Sequence, residues 1–234
     1  MKIGIIGSGP VAHTIANKLL ELGHEVMISA RDVDAGKETH FGKFPSVTVW
    51  AKEYTQKGHK AYGGSFEKAA QFGEVVFNCT TGAHSLEALE TIDGKNLNGK
   101  ILIDVANPLD FSKGMPPSLT ICNTESLGEK VQSMFPGTKV VKALNTVNAF
   151  AMVNPALIPG EHDLFIAGND KEAKEWVKKT LLMKWFGWKN VIDLGDISAS
   201  RGTEMYLPLW ARLWGALQNP MFNIHVVEGP KPTQ

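Results

Sequence analysis

Short apolar runs alternate along the chain with stretches whose apolar residues recur at helical spacing, which predicts strand and helix in turn. Ile3, Ile5 and Ile6 form a β-branched strand, and Val11, Ile15, Leu19 and Leu22 then line one face of a helix that stops at Gly23. A second strand runs from Glu25 to Ser29. Residues 32–64 are polar and glycine-bearing, with one apolar patch, Val47 to Trp50, that reads as a helix start or a brief strand. Beyond it the pattern predicts a helix capped by Ser65 and reaching Phe72, a strand from Glu74 to Thr80 and a helix from Ser85 to Ile92. The strand from Lys100 to Ala106 closes on Asn107-Pro108, since a residue before proline favours extended backbone.

Ser126 and Glu129 have capping-box spacing and open a helix to Phe135, followed by a strand from Lys139 to Asn145. Then come a helical turn over 147–152, a strand Asp163 to Ala167, a helix Lys171 to Met183, a strand Val191 to Leu194 and a last helix from about Gly202 to Leu217. Alternation of this kind predicts an α/β fold, a Rossmann-type doubly wound parallel sheet with a small C-terminal α/β annex. Residues 1–146 form the nucleotide-binding domain in this reading and 147–234 the smaller C-terminal domain. The last helix carries only Glu204 and Arg212 as charges among Met205, Leu207, Leu209, Trp210, Leu213, Trp214 and Leu217. A helix apolar all round has to be covered, inside the fold or by a second subunit, and a homodimer is the expected form.

The first strand and helix enclose Gly7-Ser8-Gly9-Pro10-Val11-Ala12. Gly7 makes the tight turn, Gly9 lets the backbone approach a pyrophosphate, and Ala12 permits close helix–strand packing. Pro10 stands in the first helical turn, where a missing N–H costs nothing and the helix N-terminus favours an anion. A glycine turn alone is weak evidence. Here the flanking strand, the helix and the second strand all agree on a dinucleotide site.

The second strand ends in Ser29-Ala30-Arg31, with no carboxylate at its tip. A guanidinium there can grip a 2′-phosphate, so the cofactor expected is NADP(H). Two alternatives stay open: Arg31 as an ordinary solvated arginine, and Asp32 reaching the ribose if the strand ends one residue later.

Composition narrows the field further. The 234 residues are 43% hydrophobic and 21% charged, with 24 basic and 24 acidic side chains, so nothing points to nucleic acid. The two cysteines, Cys79 and Cys122, lack metal-ligand spacing and read as packed thiols in a reducing compartment. A strand begins almost at Met1, which leaves no room for a signal peptide, and the longest apolar run is interrupted by Arg212. The expectation is a cytoplasmic protein with no membrane or metal partner.

In an open parallel sheet the ligand lies across the carboxyl ends of the strands. Three small, polar loops leave those ends: Thr80-Thr81-Gly82-Ala83-His84, Ala106-Asn107-Pro108 and Asn145-Thr146-Val147-Asn148. Thr80, Thr81 and Gly82 are candidates for ribose or nicotinamide contacts, and Ser8 for the pyrophosphate. His84 is a candidate acid or base or simply a solvated histidine, and His13 is a weaker one. Lys142 and Asn145 are spaced like a dehydrogenase proton-transfer pair, yet on a strand they face opposite ways, so no shared function is expected. Leu207, Trp210 and Trp214 form a stripe that suits core or dimer packing, or else a wall for a planar tricyclic partner. No catalytic acid, base or nucleophile is assigned.

Through Gly7 to Ala12, Ser29-Ala30-Arg31, Asp104-Val-Ala-Asn-Pro108, Val140 to Val147 and the closing stretch Arg201 to Gln218, the chain resembles the NADPH-dependent reductases of deazaflavin coenzyme F420. It is similar also to the cytosolic reductase domain of membrane metalloreductases, whose transmembrane part is not expected here. The resemblance implies NADP over the glycine turn with its 2′-phosphate near Ser29, Ala30 and Arg31. It puts the nicotinamide beside Thr146 and Val147, and a second ring, F420 or a flavin such as FMN or FAD, on the C-terminal side. Hydride exchange between two stacked rings needs positioning and water exclusion more than an acid or base. The rival readings are an NADPH-dependent reductase of a small carbonyl or imine, which needs a side-chain proton donor, and a non-catalytic NADPH-binding regulator.

Overall fold

The computed structural model describes residues 1–39 and 42–231. Eight strands form one sheet: β1 (Lys2–Ile6), β2 (Glu25–Ser29), β3 (Ala61–Gly64), β4 (Val75–Asn78), β5 (Ile101–Asp104), β6 (Lys139–Ala143), β7 (Asp163–Gly168) and β8 (Asn190–Asp193). Their spatial order is β3-β2-β1-β4-β5-β6-β7-β8. The order reverses between β1 and β4, which creates the crevice where such sheets take ligands.

Helix α1 (Pro10–Glu21) joins β1 to β2, α2 (Val47–Gln56) precedes β3, and α3 (Phe66–Phe72) and α4 (Ser85–Leu89) flank β4. The Val47–Trp50 patch thus opens a helix, with Ser46 accepting from the Val49 N–H. Helix α5 (Leu127–Met134) leads into β6, and α6 (Ala149–Val153) follows it. After α7 (Lys171–Trp176) a π-helical turn continues to Phe186.

Alternation along the strands sorts the core into two layers. Ile3, Ile5, Val75, Phe77, Ile103 and Val141 pack with α1 and α6 on one face. Ile6, Val76, Leu102 and Val140 pack on the other with Leu89, Leu127 and Val131. Gly4 on that second face is obligatory for space, since a Cβ there would stand 2.1 Å from Ala69 O of α3.

Several expectations need correction. The sheet is not parallel throughout: β7 runs antiparallel to β6, with Val141 opposite Gly168. Because β7 starts at the edge where β6 ends, residues 144–162 return without crossing the sheet. The expected strand end at Asn145 comes earlier, as Leu144 adopts φ +66°. The last helix is two, α8 (Ser200–Met205) and α9 (Leu207–Leu217), broken where Pro208 cannot continue the helical hydrogen bonds. Cys79 is buried, but Cys122 is exposed in an irregular segment. β3 and the antiparallel pairing of Lys37–Thr39 with Gly42–Phe44 fall in the polar, glycine-bearing stretch, away from its one apolar patch. Among the described residues no helix is long and apolar enough to cross a membrane.

His13 lies in the first layer, stacked on Phe44 with centroids 5.3 Å apart and edge-on to Trp50. Burial lowers its pKa from 6.5 to about 4. The unfolded chain therefore takes up the proton first, and the stability this group confers above pH 6.5 should fall by about 3 kcal/mol as pH drops toward 4. Urea titrations across that range should show the slope, and His13→Leu should remove most of it. A residual slope is expected from His24, lowered by burial and the chain's amino terminus.

Candidate functional site

The carboxyl edge at the switch point is built on two glycines with different jobs. Gly7 has φ +123°, and a Cβ there would lie 2.6 Å from Cys79 O, so the turn out of β1 leaves no room for a side chain. Its N–H donates to Ser29 O at 3.1 Å and ties this turn to the end of β2. Gly9 caps α1 with ordinary backbone angles and no side-chain cap. A Cβ at Gly9 would meet nothing within 4 Å, so the space before the helix is open. With Pro10 next, the unpaired N–H groups of the first turn face a cradle suited to an anion. Ser8 and Val11 are half-buried at its sides, and Ala12 is fully packed beneath.

The three residues at the tip of β2 divide. Ser29 is fully buried and its hydroxyl donates to Ile5 O at 2.8 Å; Ala30 is 8% exposed. Arg31 alone of the three presents its side chain to solvent, where it pairs with Glu87 of α4 at 3.0 Å. His84 lies 3.5 Å from the same carboxylate. Asp32 accepts from the Asp34 N–H, so its carboxylate closes its own turn.

The loops after β4, β5 and β6 are locked together. A Cβ on Gly82 would stand 1.6 Å from Asn107 O, so the first two touch backbone to backbone. Asn107 Nδ2 donates to Asn145 O at 2.8 Å, and Asn145 Nδ2 donates to Asn107 Oδ1 at 2.9 Å. Leu144, a non-glycine residue in left-handed backbone, makes the sharp turn that aims Asn145 at Asn107. Asn145 Oδ1 and Thr146 Oγ1 remain buried without a hydrogen-bond partner. Buried polar atoms are mostly paired in proteins, so these two leave hydrogen-bonding capacity unused at this edge. Pro108 and Val147 are buried beside them; Thr81 and His84 are exposed at the rim.

Beneath these loops lies a cluster that strand periodicity alone did not reveal. Asn78, Asp104 and Lys142 stand opposite one another on β4, β5 and β6. Lys142 Nζ, fully buried, reaches Asp104 Oδ2 at 2.9 Å, Glu204 Oε1 of α8 at 2.7 Å and Ala106 O at 2.5 Å. Burial works against its charge, but the two carboxylates outweigh it and raise its pKa. Asn78 donates to Asp104 and to Ser85, both at 2.9 Å, and accepts the Thr80 hydroxyl at 2.7 Å. Glu204 also accepts the Leu127 and Gly128 N–H groups at the start of α5. The strand alternation expected to separate Lys142 from Asn145 does not apply, because the strand ends at Ala143 and Leu144 turns the chain before Asn145; the two side chains hold different pieces of the same edge.

His84 is 71% exposed, His13 is a packing residue, and burial, with Asp104 adding to it, pushes the Cys79 thiol up. Among the described residues no group of three or more His, Cys, Asp or Glu could hold a metal. From Glu204 the chain passes into Leu207, buried, and Trp210, stacked on Phe222 with centroids 5.5 Å apart and 5.6 Å from Trp214. Tyr206 Oη and Trp210 Nε1 are buried without partners. On the outer side of α9, Leu209 is 55% and Leu217 57% exposed among the described residues.

Comparison with known proteins finds relatives along the whole fold. The family model described as "NADP oxidoreductase coenzyme F420-dependent" matches residues 2–108. A solved structure of a putative F420-dependent NADP-reductase from Arthrobacter sp. FB24 is 46% identical and superposes with a TM-score of 0.87, covering 97% of this chain and 100% of its own. The F420-dependent NADP reductase of Methanocaldococcus jannaschii is 28% identical over 89% of this chain and 90% of that protein. Metalloreductase STEAP3 of Rattus norvegicus is 29% identical over 89% of this chain, which spans only 38% of that protein's length.

Proposed function

The chain belongs to the family of coenzyme F420-dependent NADP oxidoreductases, and on that premise we propose that it exchanges hydride between NADPH and a planar tricyclic acceptor, coenzyme F420 or a flavin. The observation that carries this reading is the pair of buried, unpartnered polar atoms, Asn145 Oδ1 and Thr146 Oγ1, on the sheet edge that also holds the open cradle at Gly9. A dinucleotide spans such an edge from phosphate to nicotinamide.

Residues Gly7 to Ala12 would hold the pyrophosphate, and Arg31, at the tip set by Ser29 and Ala30, the 2′-phosphate. Thr80, Thr81, Gly82 and His84 would line the ribose side, with Ala106, Asn107 and Pro108 beside them. Asn145, Thr146 and Val147 would orient the carboxamide and one face of the nicotinamide. When bound, that ring supplies the hydride and takes it back. The protein's part is to fix the rings and exclude water, and neither task needs an acid or base. Leu207 and Trp210 would form the apolar wall for the acceptor, so that residues 1–146 serve the cofactor and 147–234 the second ring. The open side of α9, with Leu209 and Leu217, is the face we assign to a second copy of the chain.

Arg31 must exchange Glu87 for phosphate, and both lie in solvent. Arg31→Ala should weaken NADPH by about 10- to 100-fold, the worth of a charge-assisted pair, while NADH changes by less than about twofold. Calorimetric titration of both coenzymes reads this directly, and equal losses would remove the assignment. Transfer between rings should also survive removal of the exposed imidazole. In anaerobic assays of NADPH oxidation by F420 or FMN, His84→Ala should keep kcat within about threefold, whereas a required general acid would cost about 100-fold or more.

A further inference from the structure

The proposed reaction leaves one arrangement unexplained: two carboxylates and one ammonium, all essentially without solvent, directly under the site loops. Asp104 and Lys142 are 0% exposed and Glu204 is 1% exposed. Desolvating such charges can cost more than their pairing recovers, so stability alone is a weak reason for the cluster, and what it joins becomes the question. Asp104 and Lys142 come from β5 and β6, whereas Glu204 comes from α8, some sixty positions later in the chain. Through Asn78 the same network reaches the Thr80 hydroxyl, and through Ala106 O it holds the loop after β5.

Helix α8 is docked by two further contacts. A Cβ on Gly128 would lie 2.7 Å from Ser200 Oγ, so α5 and α8 touch closely. Arg201 pairs with Glu129 at the half-exposed rim. Glu204 is the inner anchor, bridging the Lys142 ammonium and the Leu127 and Gly128 N–H groups. Two residues after Glu204 come Tyr206 and then Leu207, the start of the apolar wall.

We propose that Glu204, acting through Lys142, is the positioning residue that fixes the α8–α9 wall against the cofactor loops, and so sets the separation of the two rings. This rests on the hydride-transfer reading. It goes beyond it by assigning registry to one buried contact rather than to the wall residues themselves. Hydride transfer is steep in distance, so a wall displaced by a fraction of an ångström slows the step without loosening the cofactor.

The test uses the full chain. Glu204→Gln keeps the shape and an acceptor for α5 and leaves Lys142 and Asp104 as a matched pair, so the fold should survive. Amide hydrogen exchange without ligand should rise in residues 206–217 relative to wild type, as a released helix opens more often. Single-turnover reduction of coenzyme F420 should fall by about 100-fold, while NADPH titrated by calorimetry binds within about threefold of wild type. Arg201→Met, which removes the rim anchor only, should match wild type in exchange and turnover.

Wild-type exchange in 206–217 for Glu204→Gln, or turnover within about threefold of wild type, would overturn the proposal, as would an equal loss in Arg201→Met. Glu204→Asp, which keeps the charge but shortens the reach, gives the same readings should the glutamine variant fail to fold. A wild-type chain that reduces no acceptor would remove the hydride reading, and the exchange comparison would still decide the anchoring role.

Discussion

Gly9→Val is expected to abolish NADPH binding and leave the fold standing. Gly9 has φ −85° and ψ −175°, a conformation valine adopts freely, and the space its side chain would fill is empty. The folded state loses only the preference for glycine at a helix cap, about 1 kcal/mol, or a Tm lower by about 2 to 4 °C in a chain of this size. The same branched side chain would stand where a pyrophosphate has to approach the first turn of α1, and a loss of more than about 100-fold in affinity follows from displacing it. Gly7→Ala makes the contrast, because φ +123° and a contact at 2.6 Å strain the fold itself. Calorimetry and a thermal melt on both variants separate the two roles. NADPH binding to Gly9→Val within about threefold of wild type would show that the open space is not a phosphate cradle.

Lys142→Met should produce a large loss of stability. Methionine fills the volume, but Asp104 and Glu204 are left buried with no cation between them, and breaking such a pair costs about 3 to 5 kcal/mol. The deficit has a pH signature. An unpaired buried carboxylate has its pKa raised in the folded state, so the variant should gain on wild type as pH falls and proton uptake neutralises it. Adding Asp104→Asn and Glu204→Gln to Lys142→Met should restore much of the loss by removing the charges themselves. Denaturant midpoints measured through the carboxylate range test all three statements, and a pH-independent cost below about 1 kcal/mol would show that the cluster is not charged as described.

How much of this was legible before folding depended on whether the signal was local. The glycine turn, α1 and β2 could be read because their periodicity, caps and turn residues sit within thirty positions and agree. The Ser126 and Ser65 caps were legible for the same reason, and each accepts the N–H three residues on. β3 was not, since Ala61-Tyr-Gly-Gly64 carries almost no β-branched content and owes its place to pairing with β2 and packing under α2. The strand at β7 could be read from its apolar run, but its antiparallel direction could not, because the run looks the same either way. Pro208 lacks the N–H that would continue α8 into α9, a local signal that the continuous apolar stripe hides.

The Lys142 cluster shows what strand patterns hide. Three apolar strands each carry one polar residue near the carboxyl end, Asn78, Asp104 and Lys142, and complementary charge on neighbouring strands was the available clue. Taken one strand at a time, each looks like an ordinary strand end. Only the register of β4, β5 and β6 brings them level, and Glu204, from a helix that read as apolar, completes them. Likewise the resemblance implied Ser29 near the phosphate, whereas its hydroxyl turns inward to Ile5 O and leaves Arg31 at the rim.

The most direct test of hydride exchange is isotopic. NADPH deuterated at the transferable C4 position is incubated anaerobically with the protein and oxidised coenzyme F420, whose ring receives hydride at a carbon, and the product is examined by mass spectrometry and NMR. Direct transfer between stacked rings puts the deuterium on that carbon with no exchange into water. Tight NADPH binding with no labelled product, or deuterium lost to solvent on the way, would contradict it.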